Sequence, residues 1–199
     1  MMLMVVGLFL FFAIHLLPTQ VDLKRGLIER FGEGGYKWFF AVVALVGLVL
    51  IVIGYGKLQD PALTGKNPQL WLPPIWTRHL ALLLMIPALI LLVAAYVPSN
   101  IKQIAGHPML AAIKIWATAH LLANGDLASV VLFGSFLAYG VVDRISVKRR
   151  EAQFGAKRAP GGVTGDLIAV AAGLAVYVMM LLFLHEWLFG VAPLPGLGA

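Results

Sequence analysis

Six apolar segments alternate with short polar segments along this chain of 199 residues. The hydrocarbon core of a bilayer is crossed by about 20 residues of helix, with a range of about 17 to 25. The pattern therefore predicts an all-α polytopic membrane bundle of about six helices, at about 1–17, 37–56, 78–97, 108–123, 126–142 and 166–190.

The fourth and fifth predicted helices are short, and only Asn124-Gly125-Asp126 separates them. So short a connection predicts an antiparallel hairpin. Its tip is expected to lie below the membrane surface, in the company of polar groups, or in a locally thin bilayer. Asp126 is positioned to cap the fifth helix by accepting hydrogen bonds from backbone N–H groups of its first turn.

The connecting segments complete a single domain over residues 1–199. Residues Val21 to Phe31 place their apolar side chains on one helical face, which predicts a short interfacial helix after the first membrane helix. The cluster Gly32-Glu33-Gly34-Gly35 predicts a turn that ends this helix. Prolines predict an irregular loop between the second and third helices, with Trp71 and Trp76 at the membrane surface. The tail, residues 191–199, is expected to be frayed.

Composition and charge agree with this fold class. The chain is 61% hydrophobic and 12% charged, whereas a soluble domain has about 45–50% apolar and about 25% charged residues. Eleven Lys and Arg residues fall in segments 18–37, 98–107 and 143–165, and three in segment 56–78. By the positive-inside rule the first three segments face the cytoplasm, which places both termini outside. Topology thus explains the net charge of +6, and nucleic-acid binding is not needed to explain it.

Polar side chains inside the fourth helix are the candidate functional residues. Trp116, His120 and Asn124 are spaced four residues apart and share one helical face. A neutral imidazole can ligate haem iron or another metal, relay protons, or hydrogen-bond a neighbouring helix, and these alternatives apply equally to His15. The long stem of Lys114 can reach the headgroups, or its ammonium can face an anionic ligand.

Several kinds of site are excluded by what the chain does not contain. It has no cysteine, which excludes disulfides and thiolate metal sites. It also has no HExxH motif, no carboxylate cluster on a membrane helix and no nucleophile elbow. Of the remaining histidines, His79, His107 and His185 are placed near membrane boundaries, where a histidine is usually an interfacial polar residue.

The chain resembles the NnrU family of bacterial membrane proteins and, more distantly, the plant and cyanobacterial 15-cis-zeta-carotene isomerases. The resemblance to the isomerases covers residues 11 to 144. The matching stretches are Phe12-Ala13-Ile14-His15, Tyr36-Lys37, Leu70-Trp71, Arg78-His79, His107-Pro108, Trp116-Ala117-Thr118-Ala119-His120, Asn124-Gly125-Asp126 and Asp143-Arg144.

The resemblance to the isomerases implies haem b held by two histidines, at the positions of His15 and His120. Trp116 and Asn124 would flank that site and Lys114 could face a propionate. The isomerases have a cysteine, linked to a redox ligand switch, three residues before the second histidine, where this chain has Ala117. A ligand-swap isomerase mechanism is therefore not expected here, whereas ligation by two histidines remains compatible with the sequence.

The resemblance to the NnrU family implies a role in denitrification. The family is associated with the production of active nitrite and nitric oxide reductases, so those reductases or their maturation factors are expected partners. It also implies a bacterial inner (cytoplasmic) membrane, where the charge pattern puts both termini in the periplasm.

One difficulty concerns depth in the membrane. His120 lies roughly 18 Å from the inner end of its helix at 1.5 Å per residue, whereas His15 is expected near the inner end of the first helix. If neither helix shifts, His79 is the reserve ligand for His120. Two alternative functions stay open: a haem-dependent cis-trans isomerase of a carotenoid-like polyene, and a cofactor-free membrane scaffold or small transporter.

Overall fold

The computed structural model describes residues 1–60, 65–155 and 161–194. Within those ranges the chain is helical almost throughout. A 3-10 turn, Leu17–Thr19, follows the first helix, and a π-helical turn, Met180–Leu184, joins the last two. The helices are α1 (Met2–Leu16), α2 (Val21–Leu58), α3 (Ile75–Ala94), α4 (Asn100–Ala105), α5 (Pro108–Ala123), α6 (Leu127–Phe154), α7 (Val163–Met179) and α8 (His185–Phe189).

The helices confirm a multi-pass membrane bundle. In the described part of the chain, five helical runs are long and apolar enough to cross a bilayer: α1 with its turn, α2, α3, α6, and α7 through α8. The shorter apolar helix α5, of 16 residues, is the sixth. Large apolar side chains such as Phe9, Leu45 and Leu83 are exposed on these helices, which suits contact with lipid chains.

The predicted length of the fifth helix was wrong. It was expected to end at residue 142, but α6 continues to Phe154, and Gly155 with φ 81° follows it. The extension contains neither glycine nor proline. Two ion pairs, each spanning two turns, stabilise it, with Arg150 3.7 Å from Asp143 and Arg144 3.3 Å from Glu151. The predicted basic residues Lys157 and Arg158, like Pro61 and residues 195–199, lie outside the described residues.

The helix predicted over residues 21–31 is present. The turn predicted over residues 32–35 was wrong except at Gly32. Only Gly32 leaves the helical conformation, with φ 72° and ψ 163°, and the chain is helical again from Glu33. Glu33 lies one turn before Lys37 and forms an ion pair of 2.7 Å with it, which favours the helix. One short helix, α4, was not predicted; Ser99 caps it by accepting a hydrogen bond from the Lys102 amide.

Glycines bring α1 and α2 into backbone contact. A Cβ at Gly7 would lie 2.7 Å from the Ile51 nitrogen, one at Gly47 would lie 2.8 Å from the Phe11 nitrogen, and one at Gly54 would lie 2.5 Å from the Met4 nitrogen. Small residues allow such close helix packing in membranes. These contacts pair the start of α1 with the end of α2, so the two helices form an antiparallel hairpin.

The remaining helices extend the bundle from this hairpin. α1 lies against α6, α6 against α5, α5 against α3, and α3 against α7. The core is formed where α1, α2, α5 and α6 meet, by the buried residues Met4, Leu8, Ile51, Leu58, Ala117, Ala128, Leu132 and Phe133. Both His15 and His120 are carried by helices of this meeting point.

Candidate functional site

An aromatic layer fills the space between α1, α5 and α6; we define it as Phe11, Phe12, Trp116, Phe133, Phe136 and Tyr139. Phe136 is its centre, with ring centroids 5.0 Å from Phe12, 5.4 Å from Trp116 and 5.5 Å from Phe11. On α6 the aromatic side chains recur every three residues and so lie along one stripe. Aromatic pairs contribute about 0.5–1.5 kcal/mol each beyond burial, so this layer fixes the three helices against one another.

His120 lies at one end of the aromatic layer. Its ring stacks on Phe133 with centroids 4.5 Å apart and is tilted against Trp116 at 5.0 Å. Its Nδ1 is 2.9 Å from the Trp116 carbonyl oxygen. Since a carbonyl oxygen only accepts, Nδ1 carries the hydrogen and donates it. In the neutral ring this leaves the lone pair on Nε2, which is the form that binds metal.

His15 lies at the other end of the layer, with the same arrangement. Its Nδ1 donates to the Phe11 carbonyl oxygen at 2.7 Å, and its ring stacks on Phe11 at 4.0 Å. Phe40 of α2 packs against its edge at 5.0 Å. The same argument leaves the Nε2 lone pair of His15 available in the neutral ring.

The two histidines contact different levels of α6. His120 contacts Phe133, whereas His15 lies 6.1 Å from Tyr139, and six residues of helix correspond to about 9 Å. This depth difference is smaller than the roughly 18 Å that the sequence suggested. His15 lies beside Tyr139, and Lys114 of α5 packs against the next residue, Gly140. His15 is therefore level with Lys114 and not with the start of α5. A metal–imidazole bond is about 2 Å long, and rings of the aromatic layer fill the space between the two histidines.

The other predicted site residues lie around His120 in different roles. Trp116 contacts both the imidazole and Phe136. Asn124 donates to the His120 carbonyl oxygen at 2.9 Å and so closes the end of α5 instead of contacting the ring. The stem of Lys114 fits against Gly140, where a Cβ would come 2.8 Å from its Cγ. His79 is exposed, in the second turn of α3.

The hairpin tip is held by a polar cluster around the carboxylate of Asp126. That carboxylate accepts hydrogen bonds from the Ser129 amide (2.9 Å), the Ser129 hydroxyl (2.6 Å), Asn67 (2.9 Å) and Gln59 (3.3 Å). The predicted capping role is therefore confirmed. Partial burial raises the pKa of Asp126, but these hydrogen bonds outweigh it and leave the pKa below its usual value.

The loop before α3 covers the same tip and surrounds it with polar backbone groups, as was expected for a hairpin tip below the membrane surface. The amides of Leu70 and Trp71 donate to the Gly125 carbonyl oxygen, at 2.8 and 3.2 Å, and the Leu127 amide donates to Pro68 at 3.0 Å. A side chain at position 125 would collide with the Trp71 carbonyl oxygen. Only glycine therefore fits at this position of the tip.

His107 lies at the opposite end of the hairpin, among charged side chains. Its Nε2 is 2.8 Å from Glu151, which also pairs with Arg144 at 3.3 Å. This contact ties the start of α5 to the extension of α6.

The sequence did not identify His185 as a neighbour of His120. The two rings are nearly parallel, with an interplanar angle of 21° and centroids 6.4 Å apart. His185 opens α8, directly after the π-helical turn Met180–Leu184. Ordinary helical periodicity does not reveal a π turn, so no signal in the sequence pointed to this contact.

No curated protein and no solved structure matches this chain. The family model described as NnrU protein matches residues 3–193, a range that includes every histidine named above and all of the described helices except the first residue of α1. The chain therefore belongs to the NnrU family.

Proposed function

We propose that this protein binds haem b inside the membrane, with His120 as one axial ligand, and acts in denitrification. The observation that carries the proposal is the orientation of the His120 ring, whose Nδ1 donates to a backbone carbonyl oxygen and whose Nε2 is left free to bind iron. This donor chemistry fits a haem ligand. The resemblance to the isomerases gives the second axial position to His15, whose Nδ1 is bonded in the same way.

The aromatic and buried surroundings of His120 would influence the reduction potential of a haem bound there. Phe133 and Trp116 pack against the ring, and the neighbouring Ala117 and Ala119 are fully buried. Burial and axial ligand identity both set the reduction potential of haem iron. Bound there, haem b would supply one-electron transfer or nitric oxide binding.

The role in denitrification rests on membership of the NnrU family. In this role the protein would handle electrons or nitric oxide, or would support nitrite and nitric oxide reductases or their maturation factors, from a bacterial inner membrane. The distribution of Lys and Arg supports a periplasmic location for both termini. On the isomerase alternative, the fully buried Ala117 offers no thiol for a ligand switch.

The cofactor proposal is tested by absorption spectroscopy. The protein would be purified in detergent from haem-replete cells, and oxidised and dithionite-reduced spectra recorded together with a pyridine haemochrome assay. We expect a low-spin haem b spectrum that is lost in His120→Ala and retained in His79→Ala, the control for an exposed histidine. A protein that stays colourless after haem is supplied would overturn the proposal and favour the scaffold alternative.

The physiological part is tested in a denitrifying host. Deletion of this protein is expected to lower nitrite reductase or nitric oxide reductase activity in membranes and periplasm, and the wild-type chain is expected to restore it. His120→Ala, produced at the wild-type level, should not. Full restoration by His120→Ala would show that the role does not depend on haem at this site.

A further inference from the structure

We infer that His185, and not His15, is the second axial ligand of the iron held by His120. The inference rests on the proposed haem binding and names its second ligand. His185 is the histidine whose ring approaches His120, and it reaches this position from α8, across the bundle from His15.

The distance between the two rings suits a shared iron. Two metal–nitrogen bonds of about 2 Å, plus about 1 Å from each nitrogen to its ring centre, separate two axial imidazole centroids by roughly 6 Å. The centroids of His120 and His185 are 6.4 Å apart. His15 instead contacts Tyr139, on the far side of the aromatic layer.

The donor chemistry of His185 matches that of His120. Its Nδ1 donates to the Val191 carbonyl oxygen at 2.7 Å, which leaves the Nε2 lone pair free in the neutral ring. Gly190 makes this bond possible, because its left-handed conformation (φ 68°, ψ 16°) ends α8 and turns the chain back so that residue 191 faces His185. Such second-shell bonds orient histidine ligands and fix their tautomer.

The π-helical turn before His185 decides where this side chain points. Met180–Leu184 is a π turn inside an otherwise α-helical run, and π turns in α-helices are frequent at functional sites. In an α-helix each residue advances by about 100° around the axis. The wider turn therefore rotates every later residue, and the rotation brings His185 to the α5 side of the helix.

The number of donors favours haem iron over a free metal ion. Zinc sites take three or four protein ligands, and the described residues contain no group of three His, Cys, Asp or Glu side chains that could hold a metal ion. Two imidazoles are sufficient for the axial positions of a haem, whose other four donors are its own. His120 and His185 supply that pair.

The test compares three single variants of the haem-loaded protein by electron paramagnetic resonance and absorption. His185→Ala and His120→Ala are expected to convert the low-spin signal to high-spin, and added imidazole should restore it. His15→Ala, which removes the competing ligand implied by the resemblance to the isomerases, is expected to keep the low-spin signal. A low-spin signal retained in His185→Ala and lost in His15→Ala would overturn the inference and leave the proposed haem binding intact.

A second variant covers the case in which His185→Ala retains no haem. His185→Met keeps an axial donor, and His/Met ligation raises the reduction potential relative to two histidines. A higher potential in His185→Met supports the inference, and an unchanged potential overturns it. A colourless wild-type protein would instead overturn the proposed function itself.

Discussion

Removal of the Asp126 carboxylate is the sharpest test of how the hairpin tip is held. Asp126→Ala deletes the cap of α6 and two bonds to other parts of the chain, from Asn67 and Gln59. The Asp126 side chain therefore links α2 and the loop before α3 to the α5–α6 hairpin, in addition to the backbone bonds of Leu70, Trp71 and Leu127.

The expected loss of stability follows from these bonds. Replacing an aspartate cap by alanine costs about 0.5–2 kcal/mol. Hydrogen bonds to a charged acceptor contribute about 1.5–3 kcal/mol each when well formed, and the long Gln59 bond of 3.3 Å and partial exposure reduce that figure. We expect a total of roughly 3 kcal/mol, which lowers the melting temperature by about 6–12 °C for a protein of this size.

The assay is thermal unfolding in detergent, followed by circular dichroism and by size-exclusion chromatography after heating. Asp22→Ala is the matched control, because that side chain is 99% exposed and lies 4.0 Å from its partner Arg25; its melting temperature should equal that of the wild type. Asp126→Asn should lose less than Asp126→Ala, since asparagine also caps helices well. A shift in Asp126→Ala no larger than that of Asp22→Ala would refute the reasoning.

Three further predictions concern pH, packing and topology. Since the folded-state pKa of Asp126 is lowered, its contribution to stability is present above about pH 4 and is lost as the pH falls through that lowered pKa; the melting temperature should drop there, and by less in Asp126→Asn. Gly54→Ala should destabilise by about 2 kcal/mol or more through overpacking against Met4, whereas Gly56→Ala, two residues on with open space around it, should be neutral or slightly stabilising in the same thermal assay. Because the chain has no cysteine, single cysteines report topology directly. Lys66→Cys should react with an impermeant maleimide in intact spheroplasts and Lys148→Cys only after permeabilisation, and the reverse pattern would contradict the orientation predicted from charge.

Local signals predicted most of the helices. Apolar length and charge placement are properties of a continuous segment, so the six membrane helices, the α5–α6 hairpin and the interfacial helix were all predicted. The two errors also have local causes. The basic segment after residue 142 was interpreted as a loop because of its charge, although its residues form helix well. The glycine cluster at 32–35 was interpreted as a turn, although only Gly32 leaves the helical conformation.

The candidate site divides in the same way. Spacing placed Trp116, His120 and Asn124 on one face of α5, and the capping role of Asp126 followed from its position before α6. Ring stacking, the hydrogen bond that sets each imidazole tautomer, and the depth difference between His15 and His120 depend on how α1, α5 and α6 pack.

The sequence by itself determined that this is a helical membrane protein of the NnrU type with polar side chains within an apolar helix, because these properties depend on residue type and on spacing within one segment. Only the tertiary structure decided which histidine lies beside His120. That contact depends on a π turn and on the packing of α8 near α5, and contacts between residues 65 positions apart are set by the whole bundle rather than by any local pattern.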